Sequence, residues 1–214
     1  MAIEFQAWPK TPRLFRDIVI TEKVDGTNSA VIIQEWPDRA EASPERLALI
    51  NRDGVLYEVA AQSRKRLITP GKTTDNFGFA KFVQENAEKL FDLFGPGRHF
   101  GEWWGSGIQG RYDTKKLTGK GLRGFALFNV EKHDGLHEWF HDDPNYDVLV
   151  EAMPILYRGP FSEQVIRDTL KELKDNGSLV APFNKAEGIV VFHTQSRQVY
   201  KYTIDNDDAS KGNN

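Results

Sequence analysis

Short β-branched and apolar segments, separated by turn dipeptides, run through most of this 214-residue chain. The pair Asp53-Gly54 joins two of them, Leu47–Asn51 and Val55–Ala60, and is a strong signal for a β-hairpin. The other predicted strands are Leu14–Val24, Ser29–Gln34, His99–Trp104, Gly124–Val130, Gly188–His193 and Gln198–Ile204. Because strands joined by hairpins pair antiparallel, the pattern predicts an α+β fold with antiparallel β-sheets flanked by helices.

Two segments have the spacing of amphipathic helices. In Phe77–Phe94 the apolar residues recur every three or four positions, Asn76 is a candidate N-cap, and Gly95 follows the last turn. Ser162 is the candidate N-cap of the second segment, whose apolar stripe ends before Asn176-Gly177. We therefore predict two helices beside the sheets.

Composition and length exclude several classes of protein. The chain has no cysteine, which excludes a disulfide framework, a thiolate metal site and a cysteine nucleophile. Its apolar runs are short, as at Ala30–Ile33, and Met1–Phe15 lacks the apolar core of a secretory signal. We expect a cytoplasmic or otherwise intracellular monomer without membrane association. One domain is expected over residues 1–204, followed by an acidic, flexible tail over 205–214.

Basic residues are concentrated in two places, although the net charge is −3. One cluster spans Arg111–Arg123 and the other is Arg64-Lys65-Arg66. Two basic clusters on a mildly acidic body suit a partner that carries phosphates at one site, and a solvated loop is the alternative. The candidate nucleic-acid contacts in the first cluster are Arg111, Lys115, Lys116 and Lys120.

A run of histidines suggests a metal site that the surrounding sequence disfavours. His133, His137 and His141 stand four residues apart, a spacing that would align metal ligands on one helix face. The pair Asp134-Gly135 within the run instead predicts a turn. No Gly-x-Ser-x-Gly element is present, so the sequence gives no support to a hydrolase nucleophile.

The most informative stretch is Lys23-Val24-Asp25-Gly26-Thr27-Asn28, between two predicted strands. A lysine beside a glycine turn holds an amine on rigid backbone and leaves room for a ligand. Because a lysine attacks an electrophile only when neutral, its pKa must be lowered by cations, burial or a metal. Glu22 and Asp25 oppose that lowering unless they face elsewhere or hold the cation that causes it. A solvated lysine on a surface turn is the alternative.

Three later segments place charges in apolar strands. Glu102 interrupts the strand at Phe100–Trp104, Glu187 opens an apolar run, and Lys201 lies between two tyrosines. Each alone is more often a strand-end charge that reaches solvent, because buried charge is costly unless paired or functional. Together with Lys23 they supply a nucleophilic amine, two carboxylates able to hold a ribose and a divalent cation, and a second amine to neutralise phosphate. Phosphoryl and nucleotidyl transfer require such groups.

Five segments carry a resemblance to a known superfamily: Lys23–Gly26, Phe100–Glu102, Phe125–Val130, Glu187–Val190 and Val199–Tyr202. In this order they resemble motifs I, III, IIIa, IV and V of the covalent nucleotidyltransferases, which comprise ATP-dependent RNA and DNA ligases and mRNA-capping guanylyltransferases. The surrounding sequence is most similar to the RNA ligases. The resemblance implies an ATP-grasp-like nucleotidyltransferase adenylation domain. Because few residues follow Lys201, we expect no C-terminal oligonucleotide-binding domain.

The resemblance also implies a role for each matching residue. Lys23 is the nucleophile that attacks the α-phosphorus of ATP and becomes lysyl-AMP, while Lys201 contacts the α-phosphate and Glu187 helps to hold Mg²⁺ or Mn²⁺. The implied ATP-binding residues are Glu22, Lys23, Asn28, Arg64, Glu102, Phe128, Glu187 and Lys201. Among them, Glu102 binds the ribose, Phe128 stacks on adenine, and Arg64 grips ribose or phosphate.

The implied function is an ATP-dependent RNA ligase that joins 5′-phosphate and 3′-hydroxyl ends of an RNA or DNA strand. The alternatives are a DNA ligase, a capping-type guanylyltransferase and a non-catalytic nucleotide-binding homologue. One position departs from the pattern, because Thr203 stands where these families usually carry a second motif V lysine. This departure keeps the non-catalytic alternative open.

Overall fold

The computed structural model describes residues 3–37, 41–109, 112, 120–181 and 185–205. Within these ranges the chain forms twelve strands and three helices. The strands are β1 (Asp17–Lys23), β2 (Gly26–Glu35), β3 (Ala48–Arg52), β4 (Val55–Ser63), β5 (Leu67–Ile68), β6 (Gly97–Gly105), β7 (Gly121–Leu127), β8 (His137–Phe140), β9 (Tyr146–Ala152), β10 (Ile155–Pro160), β11 (Gly188–His193) and β12 (Gln198–Thr203). The helices are α1 (Phe79–Glu85), α2 (Ala87–Phe94) and α3 (Glu163–Asn176).

The strands lie in two sheets. The small sheet has the order β10-β1-β11-β12, and the large sheet has the order β3-β4-β2-β6-β7-β9-β8, with β5 paired to β4. Every described pair is antiparallel except β7 with β9, which run parallel. The predicted mixture of helices and mainly antiparallel sheets is therefore what the structure shows.

Each sheet has one face covered by helices. Apolar side chains of α1 and α2 pack on the large sheet, and the members of this core include Val31, Ile33, Phe79, Leu90, Trp103 and Phe125. Apolar side chains of α3 pack on the small sheet, and the members of this second core include Ile18, Ile20, Ile166, Leu173, Ile189 and Val191. Burial of these stripes contributes about 1.5–3 kcal/mol for each large side chain.

A third apolar cluster joins the two sheets. It brings Val19 of β1 together with Trp104 and Ala126 of the large sheet and with Val180 from the segment after α3. The faces of the two sheets that carry no helix are therefore turned toward each other. The chain passes from one sheet to the other between the end of β1 and the start of β2, directly after Lys23.

The predicted helix over Phe77–Phe94 is wrong in one respect, because two shorter helices divide at Asn86. Asn76 is not the N-cap, since its amide nitrogen donates to the hydroxyls of Thr27 and Ser29 at 3.1 Å. The carboxylate of Asp75 instead accepts from backbone amides in the first turn of α1. The predicted cap at Ser162 is confirmed, since its hydroxyl accepts from the Val165 amide.

The strand predictions are confirmed in place, with bounds that shift by up to three residues. The Asp53-Gly54 hairpin joins β3 to β4 as expected, and β11 has the predicted bounds. The strands β5, β8, β9 and β10 were not predicted. Of the tail expected at 205–214, only Asp205 lies within the described residues.

The histidine run does not form a helix. His137 lies in β8, and His141 follows it with Nδ1 3.0 Å from a carboxylate oxygen of Asp147. His133 is buried, with Nε2 3.3 Å from Nδ1 of His99. Among the described residues, no group of three or more acidic or histidine side chains could hold a metal ion. In the same part of the chain, no helix has both the length and the apolar character needed to cross a membrane.

Candidate active site

Lys23 ends β1 at the junction of the two sheets. Its Nζ lies 2.5 Å from Oε2 of Glu187, the residue directly before β11, and both side chains are largely buried. The turn that follows is tightly packed, because a Cβ at Gly26 would clash with the carbonyl oxygen of Trp103. The predicted lysine and motif IV carboxylate are therefore in direct contact.

Strand register places Lys201 and Thr203 on the face of the small sheet that carries Lys23. Lys23 of β1 pairs with Gly188 of β11, which in turn pairs with Thr203 of β12. Two residues further along β11, Val190 pairs with Lys201 of β12. Directly paired residues share a face. Lys201 therefore lies on the same face as Lys23. Thr203 lies in the same cross-strand row as Lys23, and the residue between them is Gly188, which has no side chain.

The large sheet presents a second row of predicted residues. Glu102 pairs with Asn28 of β2 and with Ala126 of β7. The β2–β4 register ends at the pair Ser29–Ser63, so Arg64 comes next to Asn28 when the pairing is continued. The row therefore runs from Arg64 through Asn28 to Glu102.

Phe128 continues this face of the large sheet beyond the end of β7. Its backbone amide donates to the carbonyl of Phe100 at 2.9 Å, which extends the β6–β7 pairing by one step. By alternation along the strand, its ring lies on the side of Ala126 and Glu102. The ring is 45 % exposed, so a flat ligand has access to it.

The electrostatics of Glu102 show that the two rows converge. Burial raises the pKa of Glu102 to about 7. The positive charges of Lys23 and Arg64 lower that pKa, and the negative charges of Glu187 and Asp25 raise it. Groups from both sheets are thus close enough to Glu102 to influence its ionisation, and they form one charged cluster between the sheets.

Glu22 lies apart from this cluster, although it precedes Lys23. It is on the α3 face of β1, only 1 % exposed, and it accepts hydrogen bonds from Ser178 Oγ at 2.5 Å, Leu179 N at 2.8 Å and Val180 N at 3.3 Å. Burial raises the pKa of Glu22. The three hydrogen bonds lower this pKa, but their effect is smaller than that of burial. The structure does not bring its carboxylate together with the other predicted ATP ligands. Instead, Glu22 holds the segment after α3 against β1.

Comparison with known proteins assigns the chain to a family. A family model described as RNA ligase matches residues 16–203. This chain belongs to the RNA ligase family. The match begins just before β1 and ends at Thr203, so every residue of the charged cluster falls inside it. A search of the curated proteins found no match.

The predicted nucleic-acid contacts of this RNA ligase family member are only partly described. Arg111, Lys115 and Lys116 lie outside the described residues. The Nζ of Lys120 lies 2.7 Å from a carboxylate oxygen of Asp147, at the β8–β9 edge of the large sheet. Its contact with a polynucleotide stays a prediction.

Two residues beside the candidate site were missed by sequence analysis. The buried hydroxyl of Tyr112 accepts a hydrogen bond from the Asp25 amide at 3.4 Å, directly beyond Lys23. Burial raises the pKa of Tyr112, so its hydroxyl stays protonated. The Asn76 amide fixes Thr27 at the start of β2. Neither residue lies in a recognisable motif, because each acts through a contact that only the fold creates.

The donor set suits a hard divalent cation rather than a closed metal cage. Mg²⁺ keeps several waters and is usually bound by one or two carboxylates together with phosphates of the substrate. Glu187 offers such a carboxylate beside Lys23, and Glu102 and Asp25 add negative charge nearby. The residues present therefore fit the predicted cation, with Glu187 as its candidate protein ligand.

Proposed function

We propose that the chain is an ATP-dependent polynucleotide ligase that acts through a lysyl-AMP intermediate on Lys23. The observation that carries the proposal is the contact between Lys23 Nζ and Glu187 Oε2, with Glu102 buried beside the pair. A surface turn with a solvated lysine would place none of these carboxylates at the amine. Membership in the RNA ligase family supports the same reaction class.

In the first step, Nζ of Lys23 attacks the α-phosphorus of ATP. A P–N bond forms, the bond between the α-phosphorus and the bridging oxygen breaks, and pyrophosphate leaves. The amine must give up a proton before it attacks. Glu187 is the acceptor within reach, because its Oε2 is already at hydrogen-bond distance from Nζ.

The other residues of the cluster bind and orient the nucleotide. Glu102 accepts hydrogen bonds from the ribose hydroxyls, Phe128 stacks on adenine, and Arg64 and Lys201 compensate charge on the phosphates. A divalent cation at Glu187 supplies further positive charge to the triphosphate when bound. Fixed charges of this kind stabilise the transition state because they need no rearrangement during the reaction.

Two further steps complete the sealing reaction. The AMP passes from Lys23 to the 5′-phosphate of a polynucleotide, which breaks the P–N bond and forms a 5′–5′ pyrophosphate link. A 3′-hydroxyl then attacks the 5′-phosphate, the strand is joined and AMP leaves. Ends of RNA or DNA carry the two groups that these steps consume.

Covalent labelling tests the proposal. The full chain is incubated with α-³²P-labelled ATP and Mg²⁺, and the expected result is a labelled protein whose mass rises by one adenylyl group. Lys23→Ala is expected to take no label, whereas the matched control Lys171→Ala, an exposed lysine on α3, labels normally. Absence of label with every nucleotide would refute the proposal. Label from GTP alone would indicate capping, and faster sealing of nicked DNA than nicked RNA would indicate a DNA ligase.

One observation favours a second candidate, a non-catalytic nucleotide-binding homologue. Thr203 occupies the position in the row of Lys23 where the motif V pattern usually has a cation. That candidate predicts an ATP-dependent rise in melting temperature without covalent label. Intact mass measured in the same sample separates the two functions.

A further inference from the structure

A groove lies on the side of the small sheet that faces away from Lys23. It runs between α3 and β12, with a volume of about 620 Å³, within the range of ligand sites in proteins. Its floor is apolar and is formed by Ile18, Val191, Ile166 and Leu170. The helix therefore covers the middle of the small sheet and leaves its β12 side open.

Two tyrosines line this open side. Tyr200 and Tyr202 alternate with Lys201 along β12, so their rings lie on the groove face while Lys201 lies on the face of Lys23. The rings are 54 % and 39 % exposed. Residues two apart on a strand are about 6.6 Å from each other, so both rings are available to one ligand.

The charge of the groove favours a phosphate-bearing ligand. Arg13 and Arg167 line it, and Glu163 is the acidic residue among its described lining. Neither guanidinium forms an ion pair within the described part of the chain. The Arg13 backbone is fixed at the rim, since its amide donates to the side chain of Gln195 at 2.8 Å. This surface is therefore locally basic on a chain whose net charge is −3.

We propose that this Tyr200–Tyr202 groove binds a single-stranded segment of the polynucleotide that the ligase joins, an inference that rests on the proposed function. Stacking of bases on tyrosines and pairing of phosphates with arginines is the combination that single-strand binding requires. The two rings hold successive bases, and Arg13 and Arg167 contact the backbone on either side.

The position of β12 connects this groove to the site. β12 is the edge strand of the small sheet, so a polynucleotide that passes around this edge reaches both faces of one strand. On one face it meets Tyr200 and Tyr202, and on the other it meets Lys201 in the row next to Lys23. The groove thus holds strand adjacent to the ends being joined without occupying the nucleotide site.

Binding and adenylylation measured side by side test this proposal. Fluorescence anisotropy with a labelled 12-nucleotide single-stranded RNA gives Kd for the wild type, for Arg167→Ala and for the double variant Tyr200→Ala/Tyr202→Ala. We expect Kd to rise about tenfold or more in the double variant. For Arg167→Ala we expect the slope of log Kd against log salt concentration to fall by about 0.7, which is the contribution of one phosphate contact on a single strand.

Matched controls separate the groove from general surface effects. Trp139→Ala removes an exposed aromatic on β8, and Lys81→Ala removes an exposed cation on α1, beside the large sheet. Both variants are expected to keep the wild-type Kd. Tyr200→Phe/Tyr202→Phe keeps the rings and is expected to restore binding, which distinguishes stacking from a folding defect. Melting temperatures confirm that each variant is folded.

Labelling by ATP distinguishes failure of this proposal from failure of the proposed function. If the wild type labels but the tyrosine and Arg167→Ala variants bind RNA as the wild type does, the groove is not a strand site and the ligase assignment stands. If the wild type does not label, the ligase assignment fails whatever the RNA affinity. Concentration-dependent dimers that are lost in Tyr200→Ala, with unchanged RNA binding, would instead show that a second copy of the chain occupies the groove and would overturn the proposal.

Discussion

Glu102 is the residue whose replacement tests the electrostatics of the site most directly. Its pKa in the folded chain is about 7, against an ordinary value of 4.5. A carboxyl with a raised pKa binds a proton more tightly in the folded state than in the unfolded state. Its contribution to folding is therefore fully present below pH 4.5 and is lost as the pH rises through 7.

The magnitude follows from the two pKa values. Each pKa unit corresponds to 1.36 kcal/mol, so ionised Glu102 lowers the free energy of unfolding at pH 8 by about 3 kcal/mol. Glu102→Gln cannot ionise and escapes this loss. In a chain of this size the variant is expected to melt about 6–12 °C above the wild type at pH 8. At pH 5 the same two pKa values leave about 0.8 kcal/mol, so the expected difference is only about 2–3 °C.

The assay is thermal unfolding followed by circular dichroism between pH 5 and pH 8.5, with protein freed of nucleotide by incubation with pyrophosphate. Glu172→Gln, which changes an exposed carboxylate on α3, is the control and is expected to follow the wild type at every pH. A difference between Glu102→Gln and wild type that is the same at pH 5 and pH 8 would refute the reasoning. So would a variant that is less stable at pH 8.

Three further predictions concern the surroundings of Lys23. Gly26→Ala forces a Cβ against the Trp103 carbonyl, so differential scanning calorimetry is expected to show a free energy of unfolding that is lower by about 1–3 kcal/mol. An unchanged melting temperature would contradict the tight packing of this turn. Glu22→Ala leaves the buried donors of the 178–180 segment without their acceptor. Urea unfolding is therefore expected to show a free energy of unfolding that is lower by about 2–3 kcal/mol, and Glu22→Gln is expected to have a stability between those of Glu22→Ala and the wild type. Thr203→Lys adds a cation in the row of Lys23 and is expected to speed lysyl-AMP formation about tenfold in single-turnover labelling; a slower rate would show that Thr203 is already the better residue there.

Eight of the twelve described strands and the third helix were predictable because their signals are local. The Asp53-Gly54 turn and the Ser162 cap each act over a few residues, and both are found where the sequence placed them. The first helical segment was predicted as one helix because its apolar spacing is continuous. The break at Asn86 is invisible to that spacing. The edge strand β8 was missed because its short sequence, His137–Phe140, lacks the β-branched run by which other strands were recognised.

The candidate site was predictable as a list of residues but not as a geometry. Charges in apolar strands identified Glu102, Glu187 and Lys201, yet the contact of Glu187 with Lys23 depends on the β1–β11 register. Glu22 shows the limit of the method. Its neighbour in sequence is Lys23, the proposed nucleophile, but strand alternation turns the Glu22 side chain to the opposite face, where it anchors backbone amides.

Lys23, the proposed nucleophile, and Glu102, the predicted ribose ligand, belong to different sheets, and the chain between these sheets at this point is only Val24 and Asp25. A nucleotide joined to Lys23 and hydrogen-bonded to Glu102 would cross-link the small sheet to the large sheet. Charging with AMP would then slow amide hydrogen exchange in β1 and β6 together. Formation of lysyl-AMP would therefore store the energy of the phosphoramidate bond and make the protein more rigid in a single step.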